Sequence, residues 1–113
     1  MQRGEIWWAE LPTSVASEPG YRRPVLIVQS NDFNRSRIRT VIVVALTTNL
    51  RLADAPGNVL VTTDETGLPQ DSVVNVSQII TLDKSFLTEQ VSQVSDRVMF
   101  LVEDGLRMVL ALL

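Results

Sequence analysis

No histidine and no cysteine occur anywhere in the 113 residues. Histidine is the side chain whose unperturbed pKa falls between about pH 5 and 8, so imidazole acid–base catalysis and histidine-ligated metal are excluded. The lack of cysteine excludes disulfides, thiolate metal sites and cysteine nucleophiles. Acid–base chemistry is left to carboxylates, arginines, hydroxyls, the single Lys84 and the single Tyr21. No apolar run reaches the roughly 18 residues that a membrane span needs. The N-terminus, MQRGEIWWAE, carries acids and has no apolar h-region, so it does not read as a secretory signal. Repeats, low-complexity segments and linkers are also missing. A single domain over 1–113 is expected, cytoplasmic and without a membrane partner.

Charge is present but unevenly placed. The net charge is −3, which by itself argues against a nucleic-acid partner. Residues 1–51 nevertheless hold seven arginines against four acids, and residues 52–113 hold three bases against nine acids. Nine of the ten bases are arginine, whose planar fork matches a phosphate bidentately. A basic half on an acidic protein suits local phosphate capture better than long-range steering. For any single arginine, a solvated surface position is the competing reading.

Along the chain, GEIWWAEL (4–11) reads as a strand and LPTSVASEPGY (11–21) as a loop rich in Pro, Ser and Gly. Pro24–Gln29 is a run of branched hydrocarbon, expected as a strand buried on both faces. SNDFNRSR (30–37) has the residues of turns and helix caps. VIVVAL within 39–48 and NVLVT (58–62) are further strands, with DETGLPQD (64–71) a turn region. SVVNVSQIITL (72–82) alternates in part, and 82–94 is read as a helical turn followed by an edge strand. From Ser95 to Leu113 the apolar positions recur at helical period, with Ser95 or Asp96 as cap and Gly105 placed for close packing on a strand. Five or six strands and one long helix imply a small curled antiparallel barrel with the helix against one side. The terminal VLALL leaves apolar surface that a dimer interface would hide.

Inside this frame, SEPGYRRPVLIVQS sets Arg22 and Arg23 at the mouth of a buried strand. Proline fixes its own φ and restrains the residue before it, so Arg23 sits on stiff backbone. In order, GEIWWAEL, Glu18 with Gly20, RRPVLIVQS, DFNRS, TVIVVALTT, GNVLV, QDSVVNVSQI and TLDK resemble the MazF/PemK toxins of bacterial toxin–antitoxin systems. The resemblance runs nearly end to end. It implies an SH3-like barrel with a C-terminal helix, forming a homodimer. It also implies an endoribonuclease that cuts single-stranded RNA at short sequences without a metal or other cofactor, leaving a 2′,3′-cyclic phosphate and a 5′-hydroxyl. The implied partner is a MazE-like antitoxin whose disordered tail blocks the RNA groove.

The resemblance maps its catalytic arginine onto Arg23 and its threonine onto Thr47, with Thr48 adjacent. A guanidinium is not deprotonated in proteins, so charge stabilisation at the phosphorane suits Arg23 better than proton transfer. Glu18 is a candidate base or a partner that orients Arg23, and a solvated loop acid is the alternative. Arg22 is a possible added phosphate contact. Ser30, Asn31, Asn34 and Gln78 are candidates for reading base edges, and Tyr21 for stacking on a base. Phe33 is a weaker stacking candidate, expected to be packed. Trp7 and Trp8 lie on opposite faces of one strand, so at least one belongs to the core. Two other functions fit the same fold: a gyrase poison of the CcdB type, which needs neither Arg23 nor Thr47, and an inactive SH3-like binding module.

Overall fold

The computed structural model describes residues 1–11 and 22–113. Six strands are present among them: β1 (Glu5–Glu10), β2 (Arg22–Ile27), β3 (Thr40–Thr47), β4 (Val59–Val61), β5 (Ser72–Asp83) and β6 (Leu87–Gln93). Three helices accompany them: α1 (Asn31–Asn34), α2 (Thr63–Thr66) and α3 (Asp96–Leu110). The strands form one sheet in the order β4-β5-β3-β2-β1-β6, and every pairing in it is antiparallel.

This order forces the sheet to curl. Strands β5 and β6 lie four places apart, a flat separation of about 19 Å at roughly 4.8 Å per strand. A single 3₁₀ turn, Lys84–Phe86, connects them, and three residues reach only about 11 Å. The sheet must therefore bend until the end of β5 meets the start of β6. Its two edges, β4 and β6, are bridged through α2: Ser92 on β6 donates its hydroxyl to the Thr66 carbonyl.

Strands β1–β3 bury both faces, as expected from their hydrocarbon runs. On one side Ile6, Leu26, Val44, Leu46, Val74 and Val76 pack with Val98, Met99 and Val102 of α3. On the other, Ala9, Val25, Ile27, Val41 and Val43 pack against Leu82, with Trp7, Phe86 and Leu87 alongside. The two tryptophans divide between these cores, Trp8 to the first and Trp7 to the second. The partial alternation of SVVNVSQIITL has a structural cause. Between Val44 and Leu46 the partner of β3 jumps from Ile79 to Val74, so Asn75–Gln78 form a wide bulge. Bulges of this kind bend a strand and increase its twist.

Helix α3 begins where Ser95 accepts a bond from the Val98 N–H and ends earlier than the apolar pattern suggested. Ala111 takes a left-handed conformation, and the Leu112 N–H reaches back to Arg107 O at 2.8 Å. Val109 and Leu110, within the VLALL apolar surface read from the sequence, are exposed; they lie beyond Leu106, which still packs on the core. At Gly105 itself the helix touches the Gly57 turn. A Cβ there would lie 2.2 Å from Gly57 O and 3.0 Å from Val76 Cγ1.

Gly105→Ala gains about 1 kcal/mol of helix propensity but drives a methyl into backbone, and overpacking costs typically 1–3 kcal/mol or more. The variant is expected to unfold at lower denaturant. An unchanged or raised midpoint in urea contradicts the close helix–turn contact.

Candidate functional site

The site is built where β2 and β3 run out. Their register pairs Val25 with Ala45, Leu26 with Val44 and Ile27 with Val43. Carried two places further, it sets Arg23 opposite Thr47. The Arg23 Nη2 donates to the Leu46 carbonyl at 3.0 Å, one peptide unit from Thr47. On its other side Arg23 pairs with Ala9 of β1. Proline at 24 stiffens the backbone that carries the guanidinium. Thr47 is only 3% exposed, and its Oγ1 accepts the Asn49 N–H at 3.1 Å. Thr48 is exposed.

Arg23 and Thr48 share the wall of an open cleft of about 290 Å³ with Trp8, Pro24, Leu46, Leu68, Pro69, Gln70 and Ser72. Strand pairing explains the company. Trp8 pairs with Pro24 and Leu46 with Val74, two residues from Ser72, so these side chains share the face that deeper in the fold packs on α3. The cleft thus continues that core outward, its lining mixing apolar side chains with Arg23, Thr48, Gln70 and the buried Ser72.

The opposite wall is a tightly held turn. Thr62 and Glu65 form a reciprocal capping box at the start of α2, which satisfies two orphan backbone donors. Gly67 ends the helix at φ 75°, a left-handed cap that suits glycine. The Thr66 hydroxyl then accepts the Leu68 N–H at 3.0 Å. The Asp71 carboxylate accepts the Thr63 N–H at 2.9 Å, and the Ser72 hydroxyl donates to the Gln70 carbonyl at 3.1 Å.

Of the residues nominated from sequence, the structure brings Arg23 and Thr48 to the cleft, with Thr47 buried directly behind. Arg22 lies 4.4 Å over the Trp8 ring, a cation–π stack, and 3.4 Å from Glu89 and 3.8 Å from Glu10. It therefore touches the cleft through Trp8. Asn31 and Asn34 lie apart from the cleft, in the fold's own hydrogen bonds. The Asn31 carboxamide oxygen accepts from the Arg3 N–H at 2.8 Å and from Asn34 Nδ2 at 3.1 Å. Asn34 is buried; its Nδ2 donates to Gln29 O at 3.0 Å and its Oδ1 accepts Gln29 Nε2 at 2.9 Å. Lys84 Nζ closes the cluster on Asn34 O at 3.0 Å. Ser30 is exposed at the start of α1, and Gln78 sits in the β5 bulge, neither lining the cleft. Phe33, expected to be packed, is 57% exposed. Glu18 and Tyr21 lie outside the described residues.

Sequence reading missed the other half of the cleft: Trp8, Leu68, Pro69, Gln70 and Ser72. One signal was available. The T-x-x-E pattern at 62–65 marks an ordered cap, so the following GLPQD is a fixed turn and not a slack loop. Nothing local says which strand ends that turn faces.

Comparison with known proteins agrees with this architecture. The chain is 27% identical to a solved "Endoribonuclease in complex with its cognate antitoxin" from a mycobacterial species, with a TM-score of 0.82 and coverage of 100% of this chain and 97% of that one. Among curated proteins it is 48% identical over 112 residues to Endoribonuclease MazF2 of Mycobacterium bovis, spanning 99% of this chain and 98% of that protein. It is 36% identical over 113 residues to Endoribonuclease EndoA of Bacillus subtilis, spanning 100% and 97%. These relatives define a class of small curled-sheet toxins with one C-terminal helix. A family model described as "PemK-like, MazF-like toxin of type II toxin-antitoxin system" matches residues 2–110, and the chain belongs to that family.

The Gln29–Asn34 cluster carries a stability prediction. Asn34→Ala strips a buried amide from its partners and is expected to cost about 1–3 kcal/mol, read as a lower urea midpoint with an unchanged m-value. An unchanged midpoint would show that the cluster contributes nothing to folding.

Proposed function

We propose that the chain is a sequence-specific, metal-independent endoribonuclease toxin that cuts single-stranded RNA, mRNA foremost, and thereby stops translation and growth. The observation that carries this reading is the Arg23 guanidinium, fixed on the Leu46 carbonyl at 3.0 Å at the rim of an apolar cleft, in a chain whose relatives are named endoribonucleases. The RNA supplies its own nucleophile, the 2′-hydroxyl. The protein must position the phosphate, neutralise the phosphorane and let protons move at the 2′- and 5′-oxygens. Arg23 binds the phosphoryl oxygens as charge develops. Thr47 backs it from the facing strand, its oxygen oriented by the Asn49 N–H, and Thr48 offers an exposed hydroxyl at the rim. Glu18 is the proposed base or the carboxylate that orients Arg23. The products are a 2′,3′-cyclic phosphate and a 5′-hydroxyl.

An open cleft with apolar surface favours single-stranded substrate, because an unpaired base enters it without the cost of unpairing and unstacking a duplex. Metal independence is proposed from the family resemblance, and the EDTA assay below tests it. We further propose a homodimer in the cytoplasm, consistent with the exposed Val109, Leu110, Leu112 and Leu113 at the end of α3. A MazE-like antitoxin that covers the cleft is the proposed partner. The single domain spans 1–113.

The deciding experiment incubates the purified protein with a long single-stranded RNA in EDTA. Discrete cuts are expected, with 5′-hydroxyl and cyclic phosphate ends. Arg23→Ala should lose about 10²-fold or more in rate, the scale of removing one oxyanion donor. Arg23→Lys should restore little of it, since an ammonium lacks the fork. Intact RNA with wild-type protein sinks the reading; accompanying gyrase inhibition would favour the gyrase-poison alternative, and its absence a binding module.

Affinity for a non-cleavable 2′-O-methyl RNA should also fall with salt, with a log–log slope of about −0.7 for each phosphate held. A flat dependence contradicts phosphate capture by Arg23 and its neighbours.

A further inference from the structure

We infer that Gln70 reads the identity of one unpaired nucleobase, which is held in the cleft between Trp8 and the Leu68–Pro69 turn. This rests on the endoribonuclease reading and deepens it. The cleft divides its chemistry as a base would require. Trp8, Leu68 and Pro69 supply apolar surface for the faces of a planar ring, and Arg23 stands at the rim where the attached phosphate would lie. Unpaired bases are recognised by stacking and by hydrogen bonds to their exposed edges.

Gln70 is singled out by a contrast between its backbone and its side chain. The turn that carries it is pinned on both sides by the bonds to Thr66, Asp71 and Ser72 described above. Its own carboxamide is exposed and makes no hydrogen bond among the described residues. The side-chain amides of Gln29, Asn31, Asn34, Asn58 and Asn75 are all engaged in the fold. A rigid mount with a free donor–acceptor pair loses little entropy on binding and discriminates by hydrogen-bond pattern. Arg22, stacked on Trp8 and held by Glu89, braces the aromatic wall from outside.

The test uses the full chain, a single-stranded RNA library with a randomised insert, and sequencing of the 5′ ends produced in EDTA. Wild type, Gln70→Ala and Gln70→Glu are compared after melting curves show each variant folded. Gln70→Ala is expected to relax preference at one position of the cut site by about tenfold, the scale of one good bidentate pair, while preferences at the other positions persist. Gln70→Glu presents two acceptors and is expected to move that same position toward guanine, whose N1–H and N2–H₂ are paired donors. If both variants keep the wild-type preference at every position, at whatever overall rate, the inference is overturned and the endoribonuclease reading stands. If wild type cuts nothing, both fall together.

Discussion

The three-residue connection between β5 and β6 is the constraint on which the rest of the molecule depends. It is too short to join strands four places apart in a flat sheet, so the sheet has to curl. Curling turns one apolar face of β1–β3 into a core against the far half of β5 and leaves the other for α3. It also brings α2 between the two free edges, which sets the Gly67–Asp71 turn opposite the ends of β2 and β3. The cleft is the space left over at that meeting. Its shape therefore follows from strand order, and its chemistry from which residues happen to stand at the strand ends.

The same geometry resolves the conflict in the charges. An acidic protein is a poor long-range attractor of polyanions, and three of the seven arginines in its basic half are paired with acids. Arg3 is held by Glu103 at 2.8 Å, Arg22 by Glu10 and Glu89, and Arg35 by Asp32 at 2.8 Å. Exposed pairs like these contribute little stability, but they do neutralise the side chains that form them. Arg23 is anchored on the strand end itself, where its Nη2 donates to the Leu46 carbonyl. A guanidinium so anchored has a fixed direction. That is electrostatic preorganisation at one point, in place of a surface field.

Local pattern carried most of the fold. Branched runs marked β2 and β3, the 3.6-residue period marked α3, and Gly105 was placed for close packing by its cost within a helix. What could not be read were features set by partners distant in the chain. The bulge at Asn75–Gln78 exists because β3 and β5 must bend together, and the end of α3 because the sheet beneath it stops. At the site, Arg23 and Thr47 were nominated through the family resemblance, and strand pairing sets them on facing strand ends. Asn31 and Asn34 are bonded within the fold, which local pattern could not show: polar residues beside a buried strand serve equally well as ligand readers or as internal ties, and only their partners distinguish the two. Gln70 lies in a segment that sequence alone marks only as a turn.

A division of labour among the carboxamides follows from this. Where backbone leaves regular structure inside the fold, an Asn or Gln satisfies it: Gln29 and Asn34 around α1, and Asn58 at the bulge, where Asn75 in turn accepts from Asn58. Gln29, Asn34 and Asn58 are each held by partners on both donor and acceptor sides, and an unmade bond inside the fold is costly. A side chain in that position cannot be exchanged to alter what the protein binds without loosening the barrel. Gln70 lies under no such constraint, because hydroxyls, a carboxylate and a glycine cap secure its turn instead. Specificity placed there can change without disturbing Arg23, the curl or the core, which physically separates what the cleft reads from what it does to the phosphate.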